Sequence, residues 1–344
     1  AEPVSWVAPP MPSMDSVPYA RNTLLDDAQV FGTYNLLQPE SIAVGPDGLL
    51  YTGMNTGEIV RFNPEKMQVQ ESLQTTPFDL IANTRGRPLG LVFHPDGFLV
   101  VADAIKGLLK VTLQGEVSVL AVESEGLPFK FVDDVAVSAD GRYAYFSDAS
   151  SKFDLNSYVL DVLEHAGNGR LLRYDFQTGE TKTLLSGLQF ANGVTISKSG
   201  EYVLVNETAD YKITRYWLQG EKAGQSDTFA EGLPGFPDNI RTDSDGNYWV
   251  AIPSLRDPLL DSLADKPGIR KAMAKLLNHV QFPIKPYAMA VAFSPEGSVI
   301  ANLQAEKAGG YFYYVTQVTP FNGKLYLGSV HINGVATISN PFSQ

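Results

Sequence analysis

The chain has 344 residues, enough for one large domain or two ordinary ones, and 44% of them are apolar, as in globular proteins. A formal net charge of −12 argues against nucleic acid, whose phosphates need clustered Lys and Arg, and is compatible either with plain solubility or with a divalent cation. No apolar run approaches the roughly 20 residues of a spanning helix. The absence of cysteine removes disulfides, thiolate nucleophiles and Cys-ligated zinc.

The chain opens "AEPVSWVAPP", on Ala and without an initiator Met, as after signal-peptide removal, so an exported protein is expected (periplasmic, secreted or lumenal). Residues 1–30 read as an N-terminal extension and 31–344 as one repetitive domain. Five segments share a plan: "PESIAVGPDGLLYTG", "RPLGLVFHPDGFLVVAD", "FVDDVAVSADGRYAYFSD", "FANGVTISKSGEYVLVNE" and "FPDNIRTDSDGNYWVAI". Each pairs two alternating strands around an Asp-Gly or Ser-Gly turn, which specifies a hairpin. Their starts near 39, 87, 131, 190 and 236 give the period of a propeller blade, with one longer gap. Further strands such as "GEIVRFNP" and "GRLLRYDFQTGE" bring each unit to four. A sixth unit fits "YFYYVTQVTPFNGKLYLGSVHINGVATIS", and an eight-bladed ring would need more chain than remains. The expected fold is an all-β, six-bladed β-propeller, with one chain end supplying a strand that closes the ring.

Two stretches break the pattern, about 153–169 in blade 3 and about 257–280 in blade 5, and both read as short helical insertions. In the second, Ile269, Met273, Leu276 and Leu277 recur at helical spacing, with Arg270, Lys271 and Lys275 on other faces. A packed structural helix, a lid over the channel mouth and a membrane-surface face all satisfy that pattern.

Stacking the repeats on their hairpins aligns Glu40, Leu89, Asp133, Asn192 and Asp238, each two residues before an aliphatic strand residue. The first strand of each blade lines the central channel, so these positions converge on the axis. Four of the five carry oxygen donors, and Asn239 follows Asp238 directly. Asp and Asn are also ordinary turn residues, so any one alone is unremarked. Together they form a hard donor set without His or Cys, suited to Ca2+, which takes six to eight oxygens and tolerates uneven geometry. Without a cation the carboxylates would repel, and one would have to hold a proton. Asp103, Asp148 and the pair Asn206–Glu207 end the second strands and read as blade-to-blade hydrogen bonding, with Glu207 within possible reach of the channel.

At these residues the chain resembles the strictosidine-synthase-like six-bladed propellers, through "PESIA", "VADAIKGLLKV", "FVDDVAV", "SDASSKF", "FANGV", "LPGFPDNIR" and "KLYLGS", over roughly residues 35 to 335. More distantly it is similar to paraoxonases, gluconolactonases and diisopropylfluorophosphatase. That resemblance implies a catalytic Ca2+ held by Glu40, Asp133, Asn192, Asp238 and Asn239, and hydrolysis of lactones, aryl esters or phosphotriesters. Three departures accompany it. Thr316 stands where strictosidine synthase uses a catalytic Glu, so alkaloid condensation is not expected; Leu89 stands where paraoxonases carry a His; and Ser41 replaces an acid of their structural calcium, although Asp134 remains.

Two functional readings follow. The first is a calcium-dependent hydrolase of a small ester or lactone, with Asp238 as base or nucleophile and insertion residues Phe153, Tyr158, Leu259 and Leu260 lining the mouth. The second is a binding or scaffold propeller that calcium only braces. His94, His165, His279 and His331 read as packing or surface residues; His165 or His279 could act as a base only if its insertion covers the mouth.

Overall fold

Alternation along each repeat becomes six four-stranded antiparallel sheets in the computed structural model, which describes residues 1–67, 75–277 and 285–343. His279 and the end of the second insertion lie outside the described residues. The inner strands of blades 1 to 6 are Ile42–Val44, Pro88–Phe93, Val132–Val137, Ala191–Ile196, Ile240–Thr242 and Val315–Phe321. The expected six-bladed β-propeller is therefore what forms. Its ring is closed by the N-terminal side: Gln29–Phe31 pairs with Val335–Ser339 as the outermost strand of blade 6.

Period-two patterning packs both faces of every sheet. In the second strand of blade 3, Ala144 and Phe146 face blade 2 while Tyr145 faces blade 4. In blade 4, Val203 and Val205 turn back to blade 3, whereas Tyr202 and Leu204 pack on blade 5. Phe31, Tyr326 and Val335 meet Ile42, Leu50 and Val60 between blades 6 and 1. Each fully buried Val, Leu or Phe contributes about 1.5–3 kcal/mol, so the seam carries a core like those between the other blades.

The insertions are helical: α1 (Tyr158–Glu164) in blade 3, then α2 (Pro258–Ser262) and α3 (Pro267–Leu277) in blade 5. Asp257 caps α2, accepting from the backbone N–H groups of Leu259 and Leu260, with Pro258 at the first position, where its missing N–H costs nothing. Ile269, Met273, Leu276 and Leu277 do not form the buried face of α3. Ile269 is 49% and Leu276 67% exposed, whereas Arg270 is 1% exposed. The guanidinium of Arg270 wins the buried position because it donates to the carbonyls of Leu163, Leu263, Ala264 and Val4. It thereby ties α1, α3 and the N-terminal segment together. That segment also donates from Val4 N–H to Glu164 O (2.8 Å), and Trp6 stacks on His165 at 3.8 Å. Among the described residues, no helix is long and apolar enough to cross a membrane.

Candidate metal centre on the propeller axis

The inner strands do not run straight at the channel. In blade 3 the register jumps between Val132 and Val135, so Asp133 and Asp134 together oppose the single residue Ser147. The same bulge falls at Leu89–Gly90 in blade 2, at Asn192–Gly193 in blade 4 and beside Thr316 in blade 6. In blade 5, Asp238 N–H donates to Ala251 O (2.9 Å) while Asn239 O accepts from Ala251 N–H (3.2 Å), again two residues against one. A bulge re-aims side chains, and in these blades it turns a neighbouring pair toward the axis where plain alternation would deliver one residue.

The first residues of these pairs are Glu40, Leu89, Asp133, Asn192, Asp238 and Thr316. Glu40, Asp133 and Asn192 are buried, Asp238 half-buried and Asn239 wholly enclosed. They interact across the ring. Asn239 Nδ2 donates to Glu40 Oε1 at 2.6 Å, and Asp238 lies close enough to Glu40 for the two carboxyl groups to repel when ionised. The second residues are small or bind the neighbouring blade. A Cβ at Gly90 would lie 2.2 Å from Asp134 Oδ1, and one at Gly193 would lie 2.5 Å from Asp238 O. Thr316 donates its hydroxyl to Glu40 O at 2.7 Å and so serves the ring as a brace.

Burial lifts the Glu40 carboxyl to about 8; the Asp134 charge adds to the rise, while Arg87, Asn239 and Arg241 oppose it. Asp133 is raised by burial and by Glu40, Asp238 and Asp134, and Asp238 by burial, Glu40 and Asp134. Two guanidinium groups offset part of this charge. Arg241 grips Asp134 with both terminal nitrogens, and Arg87 donates to Gln38 O (2.7 Å) and Pro88 O (3.1 Å) within reach of Glu40 and Asp133. With all four acids ionised, two negative charges stay uncompensated by these two arginines, the charge of one divalent cation.

The donor atoms fit such an ion. Glu40 Oε2 and the Oδ1 atoms of Asn192, Asn206, Asp238 and Asn239 are buried oxygens without a hydrogen-bond partner. Unpaired buried oxygens are costly, and five around one axis call for a shared partner. Asn206 and Asn239 each turn the amide nitrogen to a protein acceptor and leave the oxygen free. Among the described residues, no three His, Cys, Asp or Glu side chains form a metal-holding group on their own. The amides are thus integral to the centre, as hard-cation coordination by mixed oxygens allows.

Asn206, Gln317, Arg87 and Arg241 were not placed here from the sequence. Asn206 opposes the blade 4 bulge, donating to Asp238 O at 2.6 Å, and Gln317 accepts from Ile42 N–H. Blade 6 turns on "FNG", so its repeat does not register by eye with the Asp-Gly blades, which hid Gln317. Glu207 does not reach the channel: it accepts from Gln189 N–H at 2.8 Å and pairs with Lys212 at 3.5 Å. Asp103 and Asp148 likewise accept from Arg87 and Phe131 N–H at 2.9 Å, stapling the loop before each inner strand. His94 binds Gly141 O at 2.7 Å and stacks on Phe98, a packing role.

Above the centre, Leu89, Phe131 and Phe190 form an apolar wall with Tyr158 and Val162 of α1 packed against it. Phe153 is buried and Leu260 half-buried, but Leu259 is 62% exposed and turned to solvent. The expected lining by Leu259 is thereby corrected.

Fold and centre together define a six-bladed propeller with carboxylate and amide oxygens gathered on its axis. The chain belongs to the strictosidine-synthase-like family. The Strictosidine synthase model matches residues 133–221, and the Strictosidine synthase-like N-terminal model matches residues 18–62. Bovine (Bos taurus) adipocyte plasma membrane-associated protein is 37% identical, over 95% of this chain and 81% of the relative. Protein STRICTOSIDINE SYNTHASE-LIKE 3 of Arabidopsis thaliana is 34% identical, over 96% of this chain and 90% of the relative. Among solved structures, a gluconolactonase from Xanthomonas campestris superposes with a TM-score of 0.63 at 14% identity, covering 93% of this chain and 92% of its own. Regucalcin from Agrobacterium tumefaciens, described as a calcium-binding protein, gives 0.60 at 12% identity, covering 90% and 92%. Both likenesses are of fold.

Proposed function

We propose that this chain is a hydrolase of lactones or aryl esters that works with Ca2+ on the propeller axis, held by Glu40, Asp133, Asn192, Asp238 and Asn239. The observation that carries this reading is the set of buried, unpartnered oxygens on Glu40, Asn192, Asp238 and Asn239. Bound there, Ca2+ would supply Lewis-acid polarisation of the substrate carbonyl. Asp238 is the least enclosed residue of the set, and we assign it as base to the attacking water. The wall of Leu89, Phe131 and Phe190 excludes water and favours an uncharged substrate. Neighbours of the same fold described as a gluconolactonase and a putative gluconolactonase support the substrate class.

The test assays phenyl acetate and a lactone panel with Ca2+ and with chelator, on the unaltered chain, Asp238→Ala and Asn192→Ala. Turnover that chelator and both substitutions abolish is expected. Hydrolysis indifferent to chelator would discard the mechanism.

A second reading is a binding propeller that the cation only braces. It draws on one feature: Leu89 occupies the blade 2 position, and no histidine joins the axial set among the described residues. Calcium-dependent stability without turnover of any ester or lactone would select it. The membrane association in the relatives' name supports an exported or membrane-associated location, to be checked by fractionation.

A further inference from the structure

The N-terminal segment and the blade 5 insertion form one layer. Residues 2–9 run antiparallel to 256–271: Lys271 pairs with Glu2 at 2.6 Å, Arg270 donates to Val4 O, Trp6 N–H donates to Ala264 O at 3.1 Å, and Arg256 donates to Pro9 O at 2.6 Å. α3 in turn packs on α1, whose Tyr158 and Val162 lie against the apolar wall of Leu89, Phe131 and Phe190. The layer therefore sits on the mouth side of the ring.

Its outer surface carries apolar side chains. Arg270 and Ala274 take the inward face of α3, so Ile269, Ala272 and Leu276, at helical spacing of three and four residues, are all exposed. Beside them, Leu259 of α2 and Val4 and Val7 of the segment are exposed as well, Val7 by 87%. Single exposed apolar residues are ordinary, whereas five large ones on stretches of chain tied together make a patch that calls for a partner.

Charge selects that partner. The chain as a whole is acidic, with net charge −12, yet Pro267–Leu277 holds Arg270, Lys271 and Lys275 and no acid. Acids do lie nearby: Glu2 and Asp265 pair with Lys271 and Lys266, Asp261 accepts from the Tyr211 hydroxyl, and Asp257 caps α2. The Lys271–Glu2 pair is exposed on both sides, so it holds Lys271 only weakly. Lys275 is exposed and enters no ion pair among the described residues. Apolar residues flanked by lysines, whose long stems reach past them, suit a helix lying in a membrane interface. Anionic headgroups attract those lysines and repel the acidic remainder of the chain, which fixes the orientation. We propose that this layer docks on an anionic lipid bilayer, with Ile269 and Leu276 entering the acyl boundary and Lys271 and Lys275 among the headgroups. The docking is independent of the hydrolase reading.

The test is flotation of the full chain with vesicles of phosphatidylcholine alone, and of phosphatidylcholine and phosphatidylserine in equal parts. The unaltered chain should float with the mixed vesicles and much less with the neutral ones. The double variant Ile269→Ser with Leu276→Ser should bind the mixed vesicles about tenfold more weakly, with Tm unchanged because both side chains are exposed. Lys271→Gln with Lys275→Gln should also lose about tenfold there. Val119→Ser, which changes an exposed apolar residue on the outermost strand of blade 2, should bind as the unaltered chain does. No flotation of the unaltered chain with mixed vesicles, equal flotation with both kinds, or an equal loss in Val119→Ser would overturn the proposal. So would a vesicle-free dimer that Ile269→Ser with Leu276→Ser dissociates, since the face would then belong to a second copy.

Discussion

Arg241 of blade 5 grips Asp134 of blade 3 with both terminal nitrogens, at 2.7 and 2.8 Å, and between them Val194 N–H of blade 4 reaches the same carboxylate at 2.9 Å. One wholly buried acid thus ties three consecutive blades beneath the candidate centre. Removing one partner of a buried pair strands the other charge, at a cost of about 3–5 kcal/mol. Arg241→Met should lower stability in urea by that order, and the double change Arg241→Met with Asp134→Leu should cost less than the two singles together. A single-variant loss below about 1 kcal/mol would show the pair to be solvated in practice.

Calcium should behave as a ligand of the folded chain alone. At a hundredfold excess over Kd, such binding adds about 2.7 kcal/mol of stability, visible as a rise in Tm that chelator reverses. Glu40→Gln and Asp238→Asn each remove a charge from the axial set and should cut the shift sharply. An unchanged calcium shift in both variants would move the site away from the axis.

With chelator present, pH should act through the same acids. Burial lifts Glu40 from 4.5 to about 8, and Asp133 and Asp238 move in the same direction. A group that binds its proton more tightly when folded stabilises below the unfolded value and loses that contribution as pH rises through the folded one. Chelated protein should therefore lose stability between about pH 4.5 and 8, and Glu40→Gln should flatten the slope. Calcium requires ionised carboxylates, so its stabilising effect should grow over the same window. Thermal unfolding from pH 5 to 8 decides it; stability that climbs with pH in chelator contradicts the assignment.

The architecture was legible because propeller repeats restate it: alternation and an Asp-Gly or Ser-Gly turn recur in five units, and misreading one still leaves four. Glu40, Asp133, Asn192 and Asp238 were findable for the same reason, since aligning hairpins aligns what precedes them. The second tier was not. Asp134 and Gln317 reach their partners because bulges add a residue to the inner strands of blades 3 and 6, and a bulge leaves no mark in the period. The burial of Arg270 in α3 was not legible either, because hydropathy counts it as solvent-seeking, whereas four carbonyls at one place make its burial favourable.

That burial has a consequence for the N-terminal segment. Arg270→Met keeps the apolar stem but abandons four carbonyls, each costing about 1–3 kcal/mol if it stays dry. The inexpensive escape is for Val4 and Trp6 to lift away and let water in. Limited proteolysis should then cut within residues 1–22 at least tenfold faster than in the unaltered chain, about 1.4 kcal/mol of local opening. Unchanged cleavage, together with a large loss of global stability, would mean that the segment and propeller unfold as one.

Gly193 offers the sharpest test of how the bulges set the centre. A methyl there would stand 2.5 Å from Asp238 O, 2.6 Å from Ile240 N and 2.7 Å from Asn239 Cα, all backbone atoms that cannot rotate aside. Gly193→Ala must therefore push blade 5 outward and carry Asp238 and Asn239 with it. Overpacking of this kind costs about 1–3 kcal/mol, a loss the six-bladed ring should survive. Calcium affinity should suffer more than folding, because ligand oxygens tolerate only tenths of an ångström around their 2.3–2.6 Å distances. Titration calorimetry beside urea unfolding separates the two: a folded variant with calcium affinity at least tenfold weaker is expected. Unaltered affinity in a folded Gly193→Ala protein would mean that Asp238 and Asn239 do not hold the ion.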